Sequence, residues 1–239
     1  MRDLSVRYRR STLGLLWTML LPLLNMLVLR TVFSNAFGID IENYAVYALS
    51  GILFWNFFHQ SAVASMNSLR GNAHIIQKLP VPKAVFPVAT VLAGVINLSL
   101  ALVPLLLILI VTGHPLRLSL LFLPASIAVA AIFTLGVGLL LSPLAVFFTD
   151  VVELAGVFLT LLMYLTPVFY PISIVPPRIR WVVAYNPVRT VLDVFRDPIY
   201  LGAIPAPGHF SAALLVALLA LWIGAVTFRR SSDRIPFYV

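Results

Sequence analysis

The chain has no cysteine, which excludes disulfides, thiolate metal ligands and cysteine nucleophiles together. It is also poor in charge. Of its 239 residues 10% are Asp, Glu, Lys or Arg, where a soluble domain carries about 25%. So few charges cannot build a solvated surface, and lipid must cover most of the chain. Lysine occurs only at positions 78 and 83, and no Gly-x-x-x-x-Gly-Lys pattern is present, so the chain cannot hold ATP by a P-loop. His59, His74, His114 and His209 are scattered without ligand spacing, and His-Glu-x-x-His is missing, so no metal motif exists. No series of intramembrane carboxylates marks a proton or sodium relay. No charged ring or carbonyl filter marks an ion channel. No catalytic polar cluster marks a membrane-embedded transferase.

What is present is apolar: 61% of the residues are hydrophobic. Uncharged runs extend from Ser11 to Leu29, Tyr44 to Leu69, Ala84 to Leu116, Leu118 to Thr149, Leu154 to Pro177 and Phe210 to Phe228. A crossing needs about 20 apolar residues, so each run spans once. The runs lack the alternation of barrel strands, which leaves helices. The expected fold is one all-α membrane domain over 1–239. Six transmembrane helices are expected near 12–37, 44–66, 84–112, 118–147, 152–172 and 210–228. The basic start resembles a signal peptide, but its apolar run is too long and lacks a small-residue cleavage site.

The formal net charge is +8. Nucleic acid is rejected as a partner, because the charges sit at the ends of apolar runs. With six crossings, the start (Arg2, Arg7, Arg9, Arg10), the connection after the second span (Arg70, Lys78, Lys83) and the tail (Arg229, Arg230, Arg234) share one side. That side is cytoplasmic by the positive-inside rule, with both termini on it. The segment from Arg178 to Asp197 resists the rule, holding four arginines on the outer side. Pro176, Pro177, Pro187 and Pro198 break helices there, and Trp181 and Tyr185 suit an interface. Two short helices lying at the outer surface are expected over 176–199, with an ordered external loop as the plainer alternative.

Several residues are candidates for function. Residues 1–11, with Leu4, Val6 and Tyr8 among the arginines, suit a helix in the headgroup layer; a bare topology signal is the alternative. The segment 67–83 holds Asn67, Arg70, His74, the apolar pair Ile75 and Ile76, Lys78 and Lys83, and Pro80 and Pro82 end any helix. It reads as a short amphipathic helix that docks on a partner or as an ordinary loop. Arg30 sits within the first run, as an intramembrane charge, a snorkelling side chain or a partner of Asp40 or Glu42. Asp150 and Glu153 mark a turn, for acid–base work, helix capping or partner contact. Tyr44, Tyr47, Phe54, Trp55, Phe57 and Phe58 cluster in the second run, and Tyr164, Phe169 and Tyr170 end the fifth. Such aromatics stack on sugar rings along a path or anchor helices at the lipid interface.

These stretches together resemble a known family. They are Arg2-Asp3-Leu4-Ser5-Val6-Arg7-Tyr8-Arg9 with Leu13-Gly14-Leu15-Leu16-Trp17 and Pro22; Ser50-Gly51-Ile52-Leu53-Phe54-Trp55-Asn56-Phe57-Phe58; and Asn67-Ser68-Leu69 with Gly71-Asn72 and Lys78 to Pro87. Thr166-Pro167-Val168-Phe169-Tyr170-Pro171, Tyr185-Asn186-Pro187-Val188 with Phe195-Arg196, and Phe228-Arg229-Arg230 with Asp233-Arg234 follow. In order and spacing the chain resembles the ABC-2 type permeases, most closely those exporting polysaccharide or polyol phosphate of the O-antigen and teichoic-acid kind. Two departures stand out: the family pattern has a short segment before Arg2, and Thr149 stands where it has an arginine.

The resemblance implies a bacterial inner-membrane permease that is not itself an enzyme. It implies two copies working with two ATP-binding subunits, which carry ATP and magnesium, while this chain binds no cofactor. Segment 67–83 would hold the coupling helix, 1–11 the interface helix (Arg2, Arg7, Tyr8, Arg9, Arg10), and 176–199 the outer gate. A polyprenyl-diphosphate-linked glycan would pass along an aromatic path, with Trp55, Phe58, Tyr164, Phe169, Tyr170, Trp181 and Tyr185 as its channel and gate residues. A drug or lipid exporter of the same architecture is the alternative.

Overall fold

The computed structural model describes residues 24, 28, 31, 43–113 and 117–238. The first expected span, the interface helix with its arginines and Tyr8, and Arg30, Asp40 and Glu42 lie outside the described residues. Within them the chain is helical: α1 Tyr44–Gly71, α2 Ala73–Lys78, α3 Val85–Val111, α4 Leu123–Phe147, α5 Asp150–Leu165, α6 Pro177–Ala184, α7 Pro187–Tyr200 and α8 Pro207–Ser232. A 3-10 turn, Leu118–Phe122, leads into α4, and another, Ile235–Phe237, follows α8.

Among the described residues three stretches are long and apolar enough to cross a membrane: Val85–Ile110, Leu118–Phe147 and Pro207–Ser232. Their open faces carry Leu92, Ile96, Val103, Leu107 and Ile110 on α3 and Leu215, Leu218, Leu219 and Trp222 on α8, as lipid contact requires. Helix α1, with 28 residues, is about 42 Å long, but its aromatic and polar residues lower its hydropathy. It lies innermost, packed against α3, α4 and α7, and every residue from Tyr44 to Trp55 is buried. The fifth apolar run does not form one helix across 152–172. Helix α5 stops at Leu165 after 16 residues, about 24 Å, and an extended turn carries Thr166 to Pro171.

Helices α4 and α8 form the most extensive pair. Their backbones touch where Gly136 meets Ala220 and Gly224 meets Gly136, with no room for a Cβ on either glycine. Small residues allow such approach where lipid supplies no hydrophobic drive between helices. The segment 176–199 does form two short helices, but the prolines act differently from the expectation. Pro177 and Pro187 start α6 and α7 at their first turns, where the missing N–H has no intrahelical partner to lose. Pro198 lies inside α7 and leaves the Val194 carbonyl without its helical donor. The hydroxyl of Ser126 on α4 donates to that carbonyl at 2.9 Å, and the hydroxyl of Ser119 donates to the Pro198 carbonyl at 2.9 Å. Helix α7 is buried through Val188, Val191, Leu192, Val194 and Phe195, against α1, α4 and α8.

Candidate functional site

Two polar features interrupt this apolar bundle. One is a stripe along α1. Beyond Trp55, the helix is open only at Asn56, His59, Gln60, Val63, Ala64, Asn67, Arg70 and Gly71. That three-and-four spacing keeps them on one side of the helix. Where α3 and α8 turn leucine and isoleucine outward, α1 turns out amides, an imidazole and a guanidinium. Asn67 folds its amide back onto the Val63 carbonyl, 3.0 Å away. The side chains of Asn56, His59 and Gln60 make no hydrogen bond among the described residues.

The stripe borders a groove of about 520 Å³ between α1 and α5, lined by His59, Val63 and Met66 on one wall and Glu153, Val157 and Thr160 on the other. Helix α5 is anchored through Ala155 and Val152 against Met66 and Ala145. Leu159 is buried in the main core with Leu162 and Met163 packed beside it, while Leu154, Val157, Phe158, Leu161 and Tyr164 are exposed. Asp150 and Glu153 occupy its first turn, where carboxylates complement the helix dipole. Thr149, the cap residue, makes no side-chain capping bond.

The second feature is a buried lock at the Tyr44 end of the bundle. Arg196 of α7 is 5% exposed. Its two terminal nitrogens donate to the carbonyls of Pro167 and Val168, each at 2.9 Å, and its guanidinium lies 4.0 Å above the Tyr47 ring. Paired carbonyls and a π face offset the desolvation of the cation, while its Nε has no partner among the described residues. The Tyr47 hydroxyl donates to the Tyr170 carbonyl at 2.8 Å, and that of Tyr44 to the Phe169 carbonyl at 3.0 Å. The Asn186 amide donates to Thr166 Oγ1 at 2.9 Å, while its oxygen accepts the Val188 N–H at 2.9 Å and caps α7. Gly51 lets the turn pass, because a Cβ there would lie 2.5 Å from the Val168 oxygen. Four separate motifs of the sequence thus meet around the extended turn 166–171.

Three of the four arginines in the segment 176–199 are held by other groups of the chain. Arg196 is consumed within the lock. Arg189 pairs with Asp193 at 3.1 Å, and Arg180 donates to the carbonyls of Val175 at 3.1 Å and Ser173 at 3.3 Å. Arg178 is exposed. The Asp197 carboxyl is pushed up to about 6 by burial and then by Asp193, against the pull of His209 and Arg196. Burial likewise raises Asp193, against the pull of Arg189 and Arg196.

The residues expected to couple to a partner fall at the Lys78 end. Asn67 and Arg70 belong to the last turns of α1, and His74 and Lys78 point outward from α2. Ile75 is half-buried, as is Lys83 in the turn before α3. Ile76 does not face outward; it packs inward with Leu69, Phe228 and Ile235 and roots α2 in the bundle. The expected channel aromatics divide. Trp55 and Phe58 are 4% and 1% exposed and serve the core, Trp55 edge-on to Phe58 and Phe58 stacked on Phe133. They do not line an open surface of this chain. Phe169 and Tyr170 belong to the lock, whereas Tyr164, Trp181 and Tyr185 are exposed, Tyr185 at 84%. Sequence reasoning assigned no role to Asn56, His59, Gln60 or Thr160 and passed over Tyr47, Asn186 and Arg196 as locking groups. The polar spacing within an uncharged run, and an arginine set against the positive-inside rule, were the available signals.

Residues 1–200 match the family model described as ABC-2 type transporter. The chain is similar to the O-antigen export system permease protein RfbA of Klebsiella pneumoniae, 32% identical over 197 residues, which is 82% of this chain and 76% of the relative. It is also similar to a protein of the same name from Myxococcus xanthus, 28% identical over 95% of this chain and 88% of the relative. The polysialic acid transport protein KpsM of Escherichia coli is 22% identical over 98% of this chain and 92% of the relative. The match over most of the chain, with the apolar helices described above, places it among membrane transport proteins: it belongs to the ABC-2 type transporter family.

Proposed function

We propose that this chain is the permease subunit of an ATP-driven exporter that moves a lipid-linked polysaccharide across the bacterial inner membrane, and that it catalyses no covalent step. The observation that carries the reading is the polar stripe of α1 beside the α5 groove, where α3 and α8 turn mainly leucine, isoleucine and valine outward. A polymer rich in hydroxyls needs such a surface, and lipid does not. The names of the relatives, O-antigen and polysialic acid transport among them, support polysaccharide as the cargo.

In this reading six helices cross the membrane, α1 and α5 among them, with both termini cytoplasmic. Two copies pair through the open apolar face of α5 and enclose the path between their stripes. Two ATP-binding subunits, holding ATP and magnesium, seat the outward residues of segment 67–83, with the helix 1–11 beside them. Closure on ATP biases the pair toward an open path, because ATP binds one state better than the other. Segment 176–199 stands at the exit as a gate. The glycan rides on a polyprenyl diphosphate.

Cells lacking the chain, with no second exporter, provide the test. Loss of surface polysaccharide with lipid-linked glycan accumulating inside is the expected result. Normal surface glycan without internal build-up would transfer the assignment to a drug or lipid exporter of the same architecture.

A further inference from the structure

Resting on the export reading, we propose that the α1 stripe and the facing wall of α5 form a sugar-contacting surface that favours uncharged glycan over polyanionic glycan. Three observations lead there. First, the open residues of α1 include Asn56, His59 and Gln60, and α5 adds Thr160. Amides, hydroxyls and an imidazole offer hydrogen-bond donors and acceptors, as sugar hydroxyls do. Second, the side chains of Asn56, His59 and Gln60 have no hydrogen-bond partner among the described residues. Polar groups at membrane depth need a partner, and a hydroxylated chain with its water supplies one.

Third, the charge in the groove has one sign. Glu153 lies in its lining, and no Lys or Arg does. The nearest cation on the stripe, Arg70, lies outside the lining, one turn beyond Met66, about 6 Å along the helix. Val63, Val152, Val157 and Leu161 wall the groove, and apolar walls weaken the screening of charge by water. A glycan with a carboxylate on every repeat would bring each one past Glu153 with no cation in the groove lining to offset it. An uncharged repeat meets only donors and acceptors. The place of Glu153 in the first turn of α5 suits the helix dipole, but that does not account for the polar wall opposite.

The test uses the full chain with its own ATP-binding subunits, in cells lacking any other exporter. Two glycans are built on one carrier with one terminal sugar: a neutral hexose polymer, and the same polymer with a uronic acid in each repeat. Surface glycan is quantified against permease abundance in the membrane. The acidic-to-neutral export ratio is expected to be low for the parent chain. Glu153→Gln should raise it about tenfold, and Thr160→Glu, adding a second carboxylate, should lower it further. Equal export of both glycans by the parent chain overturns the proposal, as does a ratio that neither substitution moves. If neither glycan reaches the surface, the export reading itself falls, which is a separate outcome.

Discussion

At the scale of single residues, Arg196 has the most to hold. It binds two adjacent carbonyls through a planar fork and rests on the Tyr47 ring. Arg196→Ala is expected to lower stability by about 3–5 kcal/mol, the range for breaking a buried charged contact. Arg196→Lys keeps the charge but cannot span both carbonyls, and about 1–3 kcal/mol should be lost. Tyr47→Phe keeps the ring under the cation and gives up one hydrogen bond, about 1 kcal/mol. Unfolding of the purified protein in detergent, followed by circular dichroism, ranks the three; equal losses would rule out the fork. Asp197 supplies a pH dependence. Its carboxyl titrates near 6 rather than at the ordinary 3.8, so between those values the folded chain binds more protons than the unfolded one. Stability should therefore fall as pH rises through that window and level off above it. Asp197→Asn should flatten the slope and raise stability at neutral pH. Asp193, His209 and Arg196 face the same group, so a residual slope from Asp193 is expected. A melting temperature with the same pH slope in both proteins would contradict this.

At the scale of elements, the glycines of this chain behave differently according to what they face. Gly224 of α8 touches the Gly136 backbone of α4. Gly224→Val must push the two helices apart and should cost at least about 1–3 kcal/mol, as overpacking does. Gly156 of α5 has open space where its Cβ would stand. Gly156→Ala should stabilise the helix by up to about 1 kcal/mol through propensity alone. Thermal aggregation of the two variants in one detergent checks both directions at once. Helix α2 shows the same dependence on what surrounds it. Six residues do not hold a helix in water, and it is Ile76, packed on Ile235 and Phe228, that fixes it. With the core contact on one side, Lys78 is left outward. Lys78→Glu should weaken export while membrane abundance and melting temperature stay unchanged; unchanged export would count against docking at α2.

At the scale of the whole molecule, the sequence determined the solvent and the class. Charge at 10% and six long uncharged runs require lipid around helices, and the bounds of α3, α4 and α8 follow from where the charges fall. Hydropathy is a sum over neighbours along the chain, so it needs no knowledge of the fold. Which side of a helix meets lipid, core or path is a matter of neighbours in space, and only the tertiary structure decided it. Trp55 and Phe58 read as channel aromatics and are core, because α1 lies innermost. Ile76 read as a docking residue and is a root, because α8 and its final turn come back beneath it. Pro198 read as a breaker and sits inside α7, because Ser126 of α4 donates to the Val194 carbonyl that the ring leaves without its helical donor. Residues far apart in the chain, Gly51, Tyr47, Val168, Asn186 and Arg196, have meaning only where they meet around one turn. Composition fixed that this protein lives in a membrane, and packing chose which of its few polar groups are used up inside and which are left open.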